Sequence, residues 1–193
     1  MQINALGVIS LINKHVFFKF NYLNLKKSFD IFLLVQNRYF YFFINLFKFN
    51  SFFYNNFLVE LTGFEVKKTL TKNSSVNSRL INAVYIFYFH TLNLQLFCSV
   101  LISQNSQVNS ISSLYLNSKW AEREFGEMFG VVFKNKSDSR KLLLDYSFVG
   151  FPLLKTFSLT GYFELFFNLN LFWIFYTPIK YKHGYEYYTF YNF

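Results

Sequence analysis

The sequence predicts an α+β fold, a mixed sheet with short helices, followed by an irregular C-terminal docking segment and a hairpin. Two neighbouring apolar runs rich in β-branched and aromatic residues indicate strands. One later stretch carries apolar residues at helical spacing, and the stretch behind it has turn signals with little periodicity. A chain of 193 residues is expected to form one main domain with an extension.

These signals divide the chain into four parts. Residues 1–30 are predicted to be an N-terminal extension, 31–118 an α/β domain, 119–161 a signature helix with a docking loop, and 162–193 a hairpin with an extended tail. The extension has scattered Lys but no Arg, which makes it a weak match to a transit peptide. A chain encoded in an organelle would need none.

Strands are predicted for the first half of the main domain. Residues Tyr39–Ile44 and Phe57–Leu61 are interpreted as strands, with a short helical piece over 45–56 and a polar loop over 71–78. The stretch Leu80–Ile102 has 23 residues without Asp, Glu, Lys or Arg, which is long enough to span a bilayer of roughly 30 Å. Polar residues at its centre favour a hairpin instead, Ile81–Phe89 with Leu94–Ile102. Both faces of this hairpin are apolar, so we expect the sheet to be covered on both sides.

A short helix is predicted to begin near Lys119, with Asn117 and Ser118 as caps and Gly130 as its stop. Glu122 is then expected in the first turn, and Arg123 and Glu127 are four residues apart and face each other. The apolar stripe consists of Ala121, Phe125, Met128, Phe129 and Val132. Two interpretations follow: a solvated charged face above a core stripe, or an ion-pair network that fixes the helix against a partner.

The residues after this helix predict a docking loop and a hairpin. Asp138 can cap a second short helix over Ser139–Leu144, and 145–161 has little periodicity. Because a long loop with few core residues usually lies on another surface, this segment is expected to contact a partner. Strands are predicted at Tyr162–Phe167 and Leu171–Tyr176, with Pro178 ending the hairpin and the aromatic, basic tail 179–193 extended over a neighbour.

A set of charged, apolar and glycine residues between Glu122 and Glu164 has the spacing of a known family. Its members are Glu122, Arg123, Glu124, Glu127, Met128, Phe129, Lys136, Arg140, Leu142, Leu143, Asp145, Tyr146, Gly150, Pro152, Leu153, Lys155, Phe157, Leu159, Thr160, Gly161, Tyr162 and Glu164. The pattern resembles the 30 kDa subunit family of respiratory complex I. Departures from the family pattern include Phe151 where the family has His, Leu154 where it has Arg, and Thr156 where it has Asp.

This resemblance implies a non-catalytic structural subunit in the peripheral arm of NADH:ubiquinone oxidoreductase. The chain itself would hold no cofactor, while FMN and iron–sulfur clusters would lie in partner subunits. Its partners would be the quinone-site and iron–sulfur subunits, on the matrix side of the mitochondrial inner membrane, with membrane association only through the complex and no nucleic acid. The expected docking residues are Trp120, Glu122, Arg123, Glu124, Glu127, Arg140, Asp145, Pro152 and Lys155.

Composition supports a permanently associated protein. Hydrophobic residues make up 53% and aromatic residues 24%, and so much apolar area indicates a partner surface or a membrane. Abundant Phe, Tyr, Asn and Lys also indicate an A/T-rich organelle genome. One cysteine, Cys98, excludes an internal disulfide and any cluster held by cysteines of this chain alone.

Two other functions compete with the leading hypothesis. The net charge of +9 suits an organelle ribosomal or RNA-binding protein, although the basic residues are dispersed along the chain and do not form a stripe. The apolar run Leu80–Ile102 could instead anchor a small membrane protein. No glycine-rich nucleotide-binding motif is present in the sequence.

Overall fold

The computed structural model describes residues 31–50, 55–66, 80–90, 93–103 and 106–179. The predicted N-terminal extension, the loop over 71–78 and the tail from residue 180 lie outside the described residues. Two compact units, Met1–Leu154 and Lys155–Phe193, are described separately below.

A four-stranded mixed sheet forms the centre of the first unit. Its strands are β1 (Ile31–Gln36), β2 (Asn56–Val66), β3 (Leu80–Phe89) and β4 (Leu94–Ser103), in the order β1-β4-β3-β2. Strand β3 pairs antiparallel with β2 and β4, whereas β1 lies parallel to β4. The mixed sheet and its central hairpin are thereby confirmed, and β2 continues five residues beyond the predicted end.

One face of this sheet forms the core. Side chains alternate along β3, so that Ala83 and Tyr85 are fully buried while Val84 and Ile86 on the opposite face are half-buried. Cover on both sides was predicted, and among the described residues it holds for one face only. On the outer face Phe32 and Phe97 stack with ring centroids 4.5 Å apart, which ties β1 to β4.

The segment after β1 is helical. A short 3₁₀ turn over Asn37–Tyr39 leads into α1 (Phe40–Phe49), so the strand predicted at Tyr39–Ile44 is wrong, and the helical piece predicted over 45–56 ends at residue 49. The apolar side chains at helical spacing, Phe40, Phe43, Ile44 and Phe47, are all buried. The ring of Phe40 lies 4.5 Å from that of Tyr85 in β3, and this packing fixes α1 on the core face.

The second helix, α2 (Ser118–Phe129), lies across β2 at a glycine. A Cβ atom at Gly63 would lie 2.5 Å from the carbonyl oxygen of Asn82 and 2.6 Å from the ring of Phe125. A side chain here would therefore push the helix away from the sheet. Two short parallel strands, β5 (Val108–Asn109) and β6 (Phe133–Lys134), pair with each other on either side of α2 in the sequence.

The second unit contains an antiparallel hairpin of β7 (Phe163–Asn168) and β8 (Trp173–Pro178). This confirms the predicted hairpin, with each strand shifted by one or two residues. The run Leu80–Ile102, considered above as a membrane anchor, forms strands β3 and β4. In the part of the chain that the structure describes, no helix combines the length and apolarity needed to cross a bilayer.

Candidate docking site

Helix α2 carries the central residues of the candidate site. Its C-terminal end was predicted correctly, whereas the capping predicted at its N-terminal end was not. The helix begins at Ser118, but neither Asn117 nor Ser118 caps it with its side chain. The amide of Asn117 donates to the carbonyl of Leu58 at 3.0 Å, and the hydroxyl of Ser118 donates to the carbonyl of Tyr115 at 2.8 Å. The first bond joins the start of α2 to β2, and the second stabilises the turn before the helix. Gly130 ends the helix in the left-handed conformation, as predicted (φ 74°).

Glu122 is a buried anchor, although the sequence placed it on a charged first turn. It lies in the second turn and is fully buried. Its carboxylate accepts hydrogen bonds from the hydroxyl of Ser110 at 2.6 Å and from the N–H of Ile111 at 2.8 Å. Burial raises the pKa of Glu122, and these hydrogen bonds reduce that rise only in part. Glu122 therefore joins α2 to the segment before it.

Arg123 and Glu127 hold the chain after the helix from two sides. The guanidinium of Arg123 donates to the carbonyl oxygens of Arg140 at 2.8 Å and Lys141 at 3.0 Å. The carboxylate of Glu127 accepts the next three backbone N–H groups, those of Leu142, Leu143 and Leu144. We call this arrangement the backbone clamp: Arg123 and Glu127 on α2, binding residues 140–144.

The backbone clamp replaces the second helix that was predicted over Ser139–Leu144, and that prediction is wrong. Residues 139–144 are irregular, and the N–H groups of residues 142–144 bind Glu127 instead of carbonyls one turn earlier. Desolvation raises the pKa of Glu127, but the three N–H groups and nearby Arg123 outweigh it, so the net pKa is lowered. The carboxylate is thus ionised at neutral pH and accepts three N–H groups of the loop.

Asp138 and Arg140 close the start of the clamped segment. The carboxylate of Asp138 accepts hydrogen bonds from the Arg140 N–H at 3.0 Å and from its guanidinium at 2.9 Å. Arg123 approaches the same carboxylate at 3.6 Å. The hydrogen bonds from Arg140 hold the pKa of Asp138 well below its usual range. Asp138 therefore orders a turn around the two arginines and caps no helix.

Lys141 organises the next turn, and sequence reasoning missed it. Its ammonium group donates to three carbonyl oxygens, those of Asp145 at 3.0 Å, Tyr146 at 3.3 Å and Phe148 at 2.8 Å. A lysine in a basic turn carries no sequence signal for such a role, because the carbonyls that it binds belong to the backbone. The turn over 145–148 is thus closed around one ammonium group in place of a regular element.

The loop then returns to the end of α2. The N–H of Leu153 donates to the carbonyl of Met128 at 3.2 Å, which satisfies a carbonyl that the helix leaves without a partner. The ring of Phe151 lies against Gly130, where a Cβ would be 2.7 Å from a ring carbon. Leu154 is buried in the core. Phe151 and Leu154 are two of the positions at which the sequence was expected to depart from the family pattern, and both carry apolar side chains.

The expected docking residues fall into two groups. Glu122, Arg123 and Glu127 bind groups within the chain. The others reach the surface: Trp120, Glu124, Arg140, Asp145 and Lys155 are exposed, and Pro152 is half-buried. Lys155 belongs to the second unit.

Large apolar side chains after α2 point outward. Between the end of α2 and residue 154, those exposed by more than half are Val132, Leu143, Tyr146, Val149 and Leu153. Trp120 on α2 is 63% exposed, and the guanidinium of Arg123 lies 5.7 Å from its ring centroid. We call Trp120 and these five later residues the outer surface. Exposed apolar side chains on an ordered loop are a feature of protein interaction sites.

No metal centre emerges from the described residues, where no group of three or more His, Cys, Asp or Glu side chains could hold an ion. Cys98 is buried within the sheet, where it packs as a small apolar side chain.

Comparison with known proteins gives the same family for this chain. Residues 35–163 match the family model described as respiratory-chain NADH dehydrogenase, 30 kDa subunit. NADH-ubiquinone oxidoreductase subunit 9 of Dictyostelium discoideum is 36% identical over 107 residues, which are 55% of this chain and 51% of that protein. An NADH-quinone oxidoreductase subunit of Francisella tularensis subsp. novicida is 43% identical over 83 residues, which are 43% of this chain and 39% of that protein.

The chain therefore spans about half or less of the length of these curated relatives. Among solved structures, a chain of the membrane-bound sulfane sulfur reductase, an archaeal respiratory membrane complex, has the same fold with a TM-score of 0.53. It is 15% identical, and the match covers 71% of this chain and 74% of that one. Because the family model covers more than half of the chain, including strands β2 to β4, α2 and the clamped loop, the chain belongs to the 30 kDa subunit family of respiratory-chain NADH dehydrogenase.

Proposed function

We propose that this chain is a non-catalytic structural subunit in the peripheral arm of NADH:ubiquinone oxidoreductase. The observation that carries the proposal is the backbone clamp. Arg123 and Glu127, the most conspicuous charges of the signature, bind the chain's own backbone and are not available to a substrate. Their role is to hold a loop whose apolar side chains face outward.

A rigid outer surface suits a protein that positions others. Electron transfer between fixed redox centres depends on their separation, and neighbouring subunits that are held firmly keep that separation constant. In this chain α2 is anchored by Glu122 on one side and binds the loop through Arg123 and Glu127 on the other. Movement of the clamped loop therefore requires breaking several hydrogen bonds to charged groups.

The family supplies the proposed partners and location. Relatives of this chain are named as subunits of NADH-ubiquinone and NADH-quinone oxidoreductase. We propose that this chain contacts the iron–sulfur and quinone-site subunits of such an enzyme, in which other subunits hold FMN and the clusters, on the matrix side of the mitochondrial inner membrane. The aromatic-rich composition, which suits an A/T-rich organelle genome, supports this location.

The test introduces a charge on the outer surface without touching the interior. Val149 is 87% exposed, so Val149→Asp should leave the isolated chain folded. If the residue is buried against a partner, the unpaired carboxylate costs several kcal/mol there and reduces the assembled complex at least tenfold. Val149→Thr keeps the shape without a charge and serves as the control, with assembly close to that of the parent chain.

Native gels of mitochondria and the spectroscopic signals of the clusters provide the readouts. We expect Val149→Asp to lower the amount of complex while whatever assembles shows unchanged cluster signals. Normal assembly with both variants would contradict docking through this surface. Salt-dependent retention of RNA by the purified chain would support the RNA-binding hypothesis instead.

A further inference from the structure

Arg140 carries a guanidinium group that is anchored on one edge and open on the other. Its Nε–H lies 3.1 Å from Oδ1 of Asp138, and an N–H of Nη2 lies 2.9 Å from Oδ2. A guanidinium has five N–H donors in one fixed plane, so three remain, two on Nη1 and one on Nη2. In the part of the chain that the structure describes, these three N–H groups have no acceptor. The side chain of Arg140 is 73% exposed, so the open edge of its guanidinium faces solvent.

The anchored edge fixes the direction of the open edge. Asp138 is itself held by the backbone N–H of Arg140 at 3.0 Å and by the guanidinium of Arg123 at 3.6 Å. The open edge has N–H groups on Nη1 and Nη2 that lie side by side, a geometry that matches the two oxygens of a carboxylate. Because the side chain is already ordered, it loses less conformational freedom on binding than a free arginine does.

The charges around Arg140 favour an anion at its open edge. The carboxylate of Asp138 is shared by two arginines, and Glu127 already accepts three N–H groups of the loop. Lys136 is half-buried, and its ammonium group makes no hydrogen bond to the described residues. Burial lowers the pKa of Lys136, and nearby Glu122 and Asp138 offset this only in part. An added carboxylate would therefore meet cations whose charge is not fully balanced.

The open edge continues the outer surface. The pKa of Arg140 is raised chiefly by its hydrogen bonds with Asp138, and nearby Tyr146, an outer-surface residue, adds to the rise. Trp120, also on the outer surface, lies 5.7 Å from the guanidinium of Arg123, which approaches Asp138 from the other side. Arginine beside exposed aromatic side chains is typical of the central part of a protein–protein interface.

We propose that the open edge of Arg140 binds a carboxylate, from an Asp or Glu side chain, on the partner protein that docks on the outer surface. This inference rests on the proposed function, since it names the chemistry of the partner at that same surface. The partner presents an apolar patch with one acidic residue placed opposite Arg140. In the complex the guanidinium then has a carboxylate on each edge, Asp138 from this chain and one from the partner.

Phosphate-rich occupants fit this edge less well. Nucleic acids are bound by basic stripes, and anionic membrane surfaces by clusters of about four to eight Lys or Arg residues. Arg140 instead has Asp138 on its other edge, and the apolar residues of the outer surface lie beside it. A single carboxylate within an apolar partner surface matches this arrangement.

Zero-length crosslinking of the native assembly tests this inference. Arg140→Lys places a primary amine at this position, and a carbodiimide joins an amine to a carboxylate only when the two are in contact. We expect mass spectrometry to find residue 140 joined to an Asp or Glu of another subunit. Ser139→Lys, at the exposed neighbouring position, is the matched control and should give no such product. A crosslink to Asp138 alone, no crosslink, or equal crosslinks from both positions would overturn the inference.

A reciprocal charge exchange separates partner binding from the role of Arg140 in its own turn. Arg140→Glu should lower the amount of assembled complex about tenfold, because two carboxylates then meet at the interface. Changing the crosslinked partner residue to Arg should restore assembly of this variant. A purely structural role of Arg140 does not allow such a recovery, so assembly that stays low in the double variant would contradict the inference.

The native gel distinguishes failure of this inference from failure of the proposed function. If the chain migrates in a large assembly but residue 140 does not crosslink to another subunit, only the carboxylate partner is wrong. If the chain migrates alone, the proposed function and this inference both fail. Retention of RNA by the purified chain that is lost with Arg140→Glu would assign the open edge to phosphate and overturn the inference.

Discussion

Replacing Glu127 by Gln tests whether the backbone clamp holds the docking loop in place. The carboxylate accepts the N–H groups of Leu142, Leu143 and Leu144, the latter two at 2.9 and 3.0 Å. Gln keeps one acceptor oxygen and puts an NH₂ donor where the second oxygen was. At least one N–H group then faces a donor and loses its partner.

The expected loss follows from the number of bonds. A hydrogen bond to a partly solvated group contributes about 0.5–1.5 kcal/mol, so losing one or two of the three costs about 0.5–3 kcal/mol of local stability. Because about 1.4 kcal/mol corresponds to a factor of ten, protection of the amides of residues 142–144 should fall about 2-fold to 150-fold. Global stability changes less, since the core does not include this loop.

Amide hydrogen exchange of the isolated chain measures this effect directly. Glu124→Gln is the matched control, because Glu124 is on the same helix with its side chain exposed. We expect faster exchange at residues 142–144 with Glu127→Gln and unchanged exchange with Glu124→Gln. Equal protection in the parent chain and Glu127→Gln would refute the clamp as the element that orders the loop.

Helix α2 and the loop behind it allow three more tests. Gly130→Ala should lower the thermal midpoint by about 2–12 °C, because a left-handed non-glycine residue that also contacts Phe151 costs about 1–3 kcal/mol. An unchanged midpoint in calorimetry would contradict this packing. Glu122→Gln should keep or raise the thermal midpoint at pH 7, because the pKa of Glu122 is raised in the folded chain and its buried charge therefore destabilises the fold as pH rises. A clear drop in the thermal midpoint would show that the ionised form is required. The pKa of Glu127 is lower in the folded chain, so its contribution to stability is complete above the pKa of the unfolded chain, about 4.3, and is lost as pH falls through the folded pKa. Amide hydrogen exchange at residues 142–144 should therefore become faster on acidification, after correction for intrinsic rates. Exchange that is independent of pH between about 5 and 2 would contradict this prediction.

The sheet and its hairpins could be predicted because their signals are local. Leu80–Phe89 and Leu94–Ser103 are long apolar runs around a polar turn, and that turn favoured a hairpin over a membrane span. Helix α1 was misjudged for the opposite reason. Its buried Phe40, Phe43 and Phe47 have helical spacing, but the neighbouring positions are also aromatic, so the compositional bias hides the period.

The interior of the candidate site could not be predicted from spacing alone. Glu122 and Glu124 look equivalent in sequence, yet one is fully buried against Ser110 and the other is exposed. Arg123 and Glu127 were expected to pair with each other, and each instead binds backbone groups that approach from later in the chain. Tertiary hydrogen bonds of this kind depend on the position of the loop, which cannot be predicted from the local sequence.

Native-gel fractionation of mitochondria followed by mass spectrometry tests the central claim most directly, namely that this chain works by holding other subunits in place. The account predicts that peptides of this chain peak in one large fraction together with the iron–sulfur and quinone-site subunits. A chain that migrates alone, near its own mass of 23.2 kDa, would contradict the account.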